Sequence, residues 1–459
     1  MDTSKKEFKD VGSFKSNALL FLVCFSGIVV IILASNLEIF CFPKYNRAFG
    51  ISNEELFFIY SAIFTIINVF LLKYSRSLEP SIFKIRTILF VIILVNQLLL
   101  ASILFMIYGQ IKIISQYNNA LFYTIIYASL ISSALFLAIS GIQFLRWFTR
   151  GRNYLVLIYG LVMLVLFANS IIGAIYLSQV SVTHGQSIKR TSCSVMMGSL
   201  TVTRPGSVNT LANAYDITSF LSFVLAWIAT ISMLKEYSKR INKFVFWVVV
   251  ILPLVFFISR YELALYYFVN DQGVDVLASI NLSSDIYGYK TLENILNLNL
   301  QLGGAFFGIA FFTIASKLTG RGQQRKALIL TGIGIMFLFA SKDISTLIIS
   351  SYPPLGAVSI AFVGLASYMV YLGIYSAASL TARDKNLRRD LRQKVENNVM
   401  LLKSIATSQD ELDIEKNVKH VMNLSTQWQE ENRQLDMTPE EIREIAKDVI
   451  LMVKTSKKS

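Results

Sequence analysis

The 459-residue chain is 54 % hydrophobic and only 16 % charged, with a mean hydropathy of +0.55. Soluble domains carry about 25 % charged residues, so an ordinary soluble protein is excluded. Pro and Gly together number 30, which excludes a collagen-like or low-complexity chain. The net charge of +14 sits almost wholly in residues 1–380, which carry 28 Lys/Arg against 15 Asp/Glu. Those cations fall in short loops between apolar stretches, the pattern of membrane topology rather than of nucleic-acid binding. The expected fold is all-α: a polytopic membrane helix bundle of about ten spans, 17–380, between a cytoplasmic segment 1–16 and a cytoplasmic helical or coiled-coil tail 381–459.

A bilayer core of about 30 Å needs about 20 apolar residues as a helix. The first such run, 17–37, contains Cys24, a small apolar filler, and its apolar stretch Ala18–Ala34 outlasts a usual signal-peptide core. A retained anchor is expected; cleavage would leave nine spans. Cys41 follows just beyond it. The next spans are expected at 54–72, 85–109, 119–145 and 154–178.

The long loop 179–211 carries His184, Cys193, Met196 and Met197, and its stretch Ser194–Thr203 would suit a short hairpin. Cys41 and Cys193 share one side, so two readings stay open: a disulfide pinning the loop to span one, or two free thiols. The soft side chains in this loop match no metal-ligand spacing, and loop packing is the plainer reading.

Spans at 212–234 and 244–269 follow, and the second carries Pro253, Arg260 and Glu262. Asn281-Leu282-Ser283 is a glycosylation sequon in the next loop. Span 293–316 has Gly304 and Gly308 in a GxxxG, and span 356–380 has Gly373 and Ala377 in the same spacing, both suited to close helix packing. Span 327–349 carries Lys342 and Asp343.

Fifteen Lys/Arg occupy four alternate loops, at 73–86, 146–152, 235–243 and 317–326, against seven in the other five. With ten spans the positive-inside rule puts both termini in the cytoplasm of a multi-pass cell-membrane protein.

Charges at membrane depth are costly and usually have a role. Arg260, Glu262, Lys342 and Asp343 are therefore the candidate site residues. They read either as a polar pocket for a small solute, open to the outside, or as two ion pairs, Arg260–Asp343 and Lys342–Glu262, locking two spans together.

The tail lacks Gly and Pro from Ile374 to Thr438, so the last span is expected to run on into the cytoplasm. Leu387, Leu391, Val395, Val399, Leu402 and Ile405 form an apolar stripe at helical spacing. Ser408-Gln409-Asp410-Glu411 and Thr438-Pro439-Glu440-Glu441 read as capping boxes that start two further helices. Such stripes need burial against the tail itself, a homodimer twin or a cytoplasmic protein partner.

Tyr352-Pro353-Pro354, Gly364-Leu365-Ala366-Ser367-Tyr368, Gly373-Ile374-Tyr375-Ser376 and Leu387-Arg388 form a segment that resembles the last span and exit helix of uncharacterised multi-spanning membrane proteins of ammonia-oxidising archaea. Some relatives in that group carry sensor-kinase output modules. The resemblance covers the final third and includes no catalytic motif. It implies an archaeal membrane protein of sensor-like layout.

No phosphate-binding Gly-Lys loop, zinc spacing, bis-histidine pair or nucleophile–base pair occurs, and His420 lacks the surroundings of a phospho-acceptor. The expectation is therefore a non-enzyme without cofactor, metal or nucleic-acid partner, its first partner being the lipid bilayer. Three functions compete: a receptor-like or scaffold protein, a secondary transporter built as five plus five inverted spans, and an accessory subunit of a membrane complex.

Overall fold

The computed structural model describes residues 27, 47–48, 51–78, 84–114, 117–183, 206–237, 243–244, 246–255, 299–317, 322–342, 353–383 and 408–409. In chain order the helices are α1 (Asn53–Arg76), α2 (Lys84–Ile114), α3 (Asn119–Gly151), α4 (Tyr154–Thr183), α5 (Gly206–Tyr237), the short α6 (Phe246–Val255), α7 (Asn299–Lys317), α8 (Gly322–Ser341) and α9 (Pro353–Arg383). A two-residue antiparallel pair, β1 (Arg47–Ala48) with β2 (Ile51–Ser52), leads into α1, an addition to the all-helical fold expected from the sequence.

Seven helices are long and apolar enough to cross a bilayer: α1 to α5, α8 and α9. The chain is thus a helical, multi-pass membrane protein. These seven coincide with seven of the ten expected spans. Within the expected spans 244–269 and 293–316 lie the shorter apolar α6 and α7, and of 17–37 only Gly27 is described, helical and buried against Ile67 and Phe337; the rest of 17–37 and residues 245, 256–269, 293–298 and 343–349 lie outside the described residues.

Local sequence accounts for the helix ends. Asn118 is in extended conformation and its side chain accepts from the Ala120 N–H, starting α3; Arg152 at φ 46° closes it, its N–H bonded to Phe148 O at 2.8 Å. Asn153 then accepts from the Leu155 N–H at 2.9 Å and starts α4. Within the helices, Ser61, Thr65, Ser102, Thr124, Ser140, Ser170, Thr230 and Thr331 each donate to the carbonyl four residues back. That local bond satisfies a hydroxyl where lipid offers no partner.

Six helices close a ring in the order α9, α3, α4, α5, α7, α8, while α1 and α2 pack outside it on α9 and α3. Small residues allow the closest approaches. A Cβ on Gly304 would strike the Phe339 ring, and one on Gly308 would strike Met336 and the Gly332 carbonyl, so the expected GxxxG is the α7 face that meets α8. Gly373 meets the Ala327 carbonyl and Thr331 of α8, and Ala377 beside it is 1 % exposed.

Burial runs against hydropathy. Of the best membrane-spanning stretch of each helix, 94 % is buried in α9 and 89 % in α8, but only 33 % in α2, although mean hydropathy is 2.7 in α2 and 1.2 in α8. The α2 face bearing Ile88, Val91, Val95, Leu98, Leu99 and Met106 is exposed. Lipid tails are as apolar as a core, so lipid-facing positions tolerate only apolar side chains while the packed centre admits Gly, Ser and Thr.

Helices joined by short connections alternate in direction, so α1 and α3 run parallel; α9 runs with them, since the contacts Ser129–Ile360, Ser133–Ser367 and Phe136–Tyr368 rise together along α3 and α9. The chain positions of Arg76, Arg150, Lys235 and Arg325 consequently fall at one end of the bundle, and the N-termini of α1, α3, α5 and α9 at the other.

Candidate functional site

The candidate site forms where the residue after α8 meets α5, which α4 holds from the other side. Lys342 directly follows α8 and is 5 % exposed. Here the structure differs from the expected span 327–349, in which Lys342 would be mid-helix. The turn is closed instead by Ser341, whose hydroxyl donates to Phe337 O, and by the Tyr215 hydroxyl, which donates to the Lys342 carbonyl at 3.0 Å. A cation just past a helix C-terminus also suits the helix dipole.

The Lys342 ammonium donates to Ser222 Oγ at 2.8 Å and lies 4.8 Å from the centroid of the Phe339 ring. Ser222 uses its own proton on Ser219 O at 2.8 Å, so its lone pairs face the ammonium. Ser222 is at the midpoint of the 26-residue span Thr210–Lys235. At 1.5 Å per residue that is roughly 18–20 Å from either end. The lysine therefore carries its charge deep into the apolar layer, where a hydroxyl and an aromatic face stabilise it.

The shell around it is polar on one side and aromatic on the other. Asn169 of α4 donates to Tyr215 O at 3.1 Å and to Thr218 Oγ1 at 2.9 Å, which fixes α5 against α4. Tyr176 stacks on Tyr215 at 6.5 Å between ring centroids. Below the ammonium, Phe339 meets Phe307 edge-on at 5.3 Å, and Phe307 meets Phe223 at 5.1 Å. An ammonium held this way can bind an anionic or strongly dipolar group, or pair with a carboxylate.

Of the sequence candidates, Lys342 is the one among the described residues. Arg260, Glu262 and Asp343 lie outside the described residues, and so do Cys41, Cys193, Asn281 and the tail stripe Leu387, Leu391, Val395, Leu402 and Ile405. Asn169, Tyr215, Thr218 and Ser222 carry no distinguishing signal in the sequence, being neutral side chains at helical positions like many others. Among the described residues no cluster of His, Cys, Asp or Glu is placed to hold a metal ion.

A second feature lies at the cation-rich end. Ser408 and Gln409, from the first of the two expected capping boxes of the tail, are helical and buried against α3. Gln409 Oε1 accepts from Trp147 Nε1 at 3.0 Å and from Gln143 Nε2 at 3.3 Å, while Ser408 donates to Trp147 O at 3.0 Å. Trp147 is 1 % exposed and meets Phe144, which stacks on Tyr159 of α4. The tail thus touches a helix whose aromatic side chains lead into the bundle.

Comparison of the chain with protein-family models, curated proteins and solved structures returns no match.

Proposed function

We propose that this protein is a receptor-like or scaffold protein of the cell membrane, in which a polar pocket around Lys342 takes a small solute and the tail carries the response. In this reading the bundle has ten spans, with both termini in the cytoplasm and the cation-rich end inside by the positive-inside rule. Residues 381–459 form a helical or coiled-coil module that meets a twin subunit or a soluble protein. The observation that carries the proposal is the seat of Ser408 and Gln409 on α3. A tail tied to a spanning helix is in a position to follow shifts of that helix.

The test is a pull-down of the full chain from native membranes by a tag at its C-terminus, with the mass of the complex determined. A stoichiometric soluble partner or a tail-dependent dimer is expected. A lone monomer refutes the output role and leaves the second reading, a secondary transporter, which the buried Lys342 favours because ionisable groups at membrane depth often line solute pathways. Solute flux into liposomes that is abolished by Lys342→Met would establish transport.

A further inference from the structure

A separate polar layer crosses the other side of the bundle, among α1, α2, α3 and α9. Gln97 lies on the buried stripe of α2 with Ile93, Leu100 and Leu104, and is 3 % exposed. Among the described residues neither its Oε1 nor its Nε2 has a hydrogen-bond partner. Asn68 of α1 is 4 % exposed; its amide donates to Phe64 O at 2.9 Å, and its Oδ1 is likewise unsatisfied.

Helix register brings these amides to one level. Phe58 meets Tyr108 across the antiparallel α1–α2 pair, which sets Asn68 opposite residues near Gln97. Asn96 bonds Ser132 of α3 at 3.2 Å, and Ser133 bonds Ser367 of α9 at 2.7 Å. Phe64 meets Phe362, which sets Asn68 beside Ser367 within about one helical turn. Amides and hydroxyls from four helices therefore share one stratum in the apolar layer, and three amide atoms of that stratum lack a protein partner.

A buried amide left unsatisfied is costly, and buried polar groups are almost always hydrogen-bonded, to protein or to an enclosed molecule. The side chains named here carry no charge, so an ion would enter without a counter-charge and at a large desolvation cost. We propose that this layer is a binding site for an uncharged molecule that both donates and accepts hydrogen bonds, with Gln97 supplying a donor and an acceptor and Asn68 an acceptor. Two sources have this chemistry: enclosed water and a small neutral solute such as an amide or polyol. A water needs two to four polar partners, and the layer holds three unsatisfied amide atoms at one level.

Gln97→Met, close in shape but apolar, decides between occupied and dry. In the purified full chain in nanodiscs, an occupied site makes the substitution destabilising, with Tm lowered by about 2 °C. A dry site makes it neutral or stabilising, because a buried orphan amide is removed, so an unchanged or raised Tm overturns the proposal. Asn68→Leu is read on the same criterion, and serves alone if Gln97→Met yields no folded protein. Where both fold, the double variant loses less than the sum of the two, since they share an occupant; strict additivity overturns the shared site. A saturable rise in wild-type Tm with acetamide or glycerol, absent from Gln97→Met, assigns the occupant to the solute class. Destabilisation by Gln97→Met without that rise assigns it to water.

Discussion

Gln409→Ala tests the coupling of tail and bundle directly. The substitution removes the acceptor used by Trp147 Nε1 at 3.0 Å and Gln143 Nε2 at 3.3 Å. Gln143 is half-buried and can turn to another partner, so its loss is small. Trp147 is 1 % exposed, and its indole N–H would be left without an acceptor. An orphaned buried donor costs about 1–3 kcal/mol. At 1.4 kcal/mol per tenfold, docking of the tail should weaken by roughly 5- to 150-fold. Hydrogen exchange at the backbone amides around Gln409 reads this out, because protection reports the free energy of local opening. Trp147→Phe is the partner variant, as it keeps the ring and removes the donor. If the bond carries the docking, exchange rises in each variant, and the double variant is no worse than Gln409→Ala alone. Unchanged exchange in Gln409→Ala, or two effects that simply add, would refute the argument that this bond holds the tail.

Close packing predicts that Gly308→Val, whose side chain would strike Met336 and the Gly332 carbonyl, destabilises by about 1–3 kcal/mol or more and cuts the folded yield in detergent. Gly109→Ala in α2, where a Cβ meets nothing within 4 Å, should instead stabilise by about 0.4–1 kcal/mol in thermal unfolding. Ser222→Ala takes from the buried Lys342 ammonium its 2.8 Å acceptor and should cost about 1.5–3 kcal/mol, whereas an unchanged Tm would show that Ser222 does not hold the charge. Burial, with Tyr123 beside it as the lesser cause, pushes the Tyr117 phenol up to about 12. The folded chain then holds that proton where the unfolded chain has begun to lose it. Its contribution to stability is complete below pH 10 and is lost as pH rises from 10 to about 12; this part of the alkaline loss should vanish in Tyr117→Phe.

The legible part of the fold and the illegible part have different physical origins. Span positions for α1 to α5, α8 and α9 follow from apolar run length, because lipid obliges the backbone to bond within one helix. Gly304 and Gly308 were legible as a close-packing face, since only small residues let two backbones meet. The neighbours across that face, Met336 and Gly332, were not, because no local pattern names a partner. Lys342 stood out because a charge in an apolar run is rare. Ser222, Asn169 and Tyr215 did not, since neutral side chains in spans are common and most satisfy themselves on their own helix. Gln97 was lost for the same reason, in a helix whose pattern is nearly uniform.

Composition and run length by themselves determined that this chain is helical, membrane-embedded and polarised in charge, since those follow from transfer of each segment between water and lipid. Which helices are central was decided only by tertiary structure, and α8, the least apolar of the seven, proved nearly the most buried. Hydropathy measures a segment against water, whereas inside a bilayer both lipid and protein core are apolar, so the choice between them rests on shape, small residues and hydrogen bonds between helices. The same holds for the two sites. The ammonium of Lys342 is placed by an α5 hydroxyl from 120 residues away, and the tail by an α3 indole 262 residues away, separations across which no sequence period reaches.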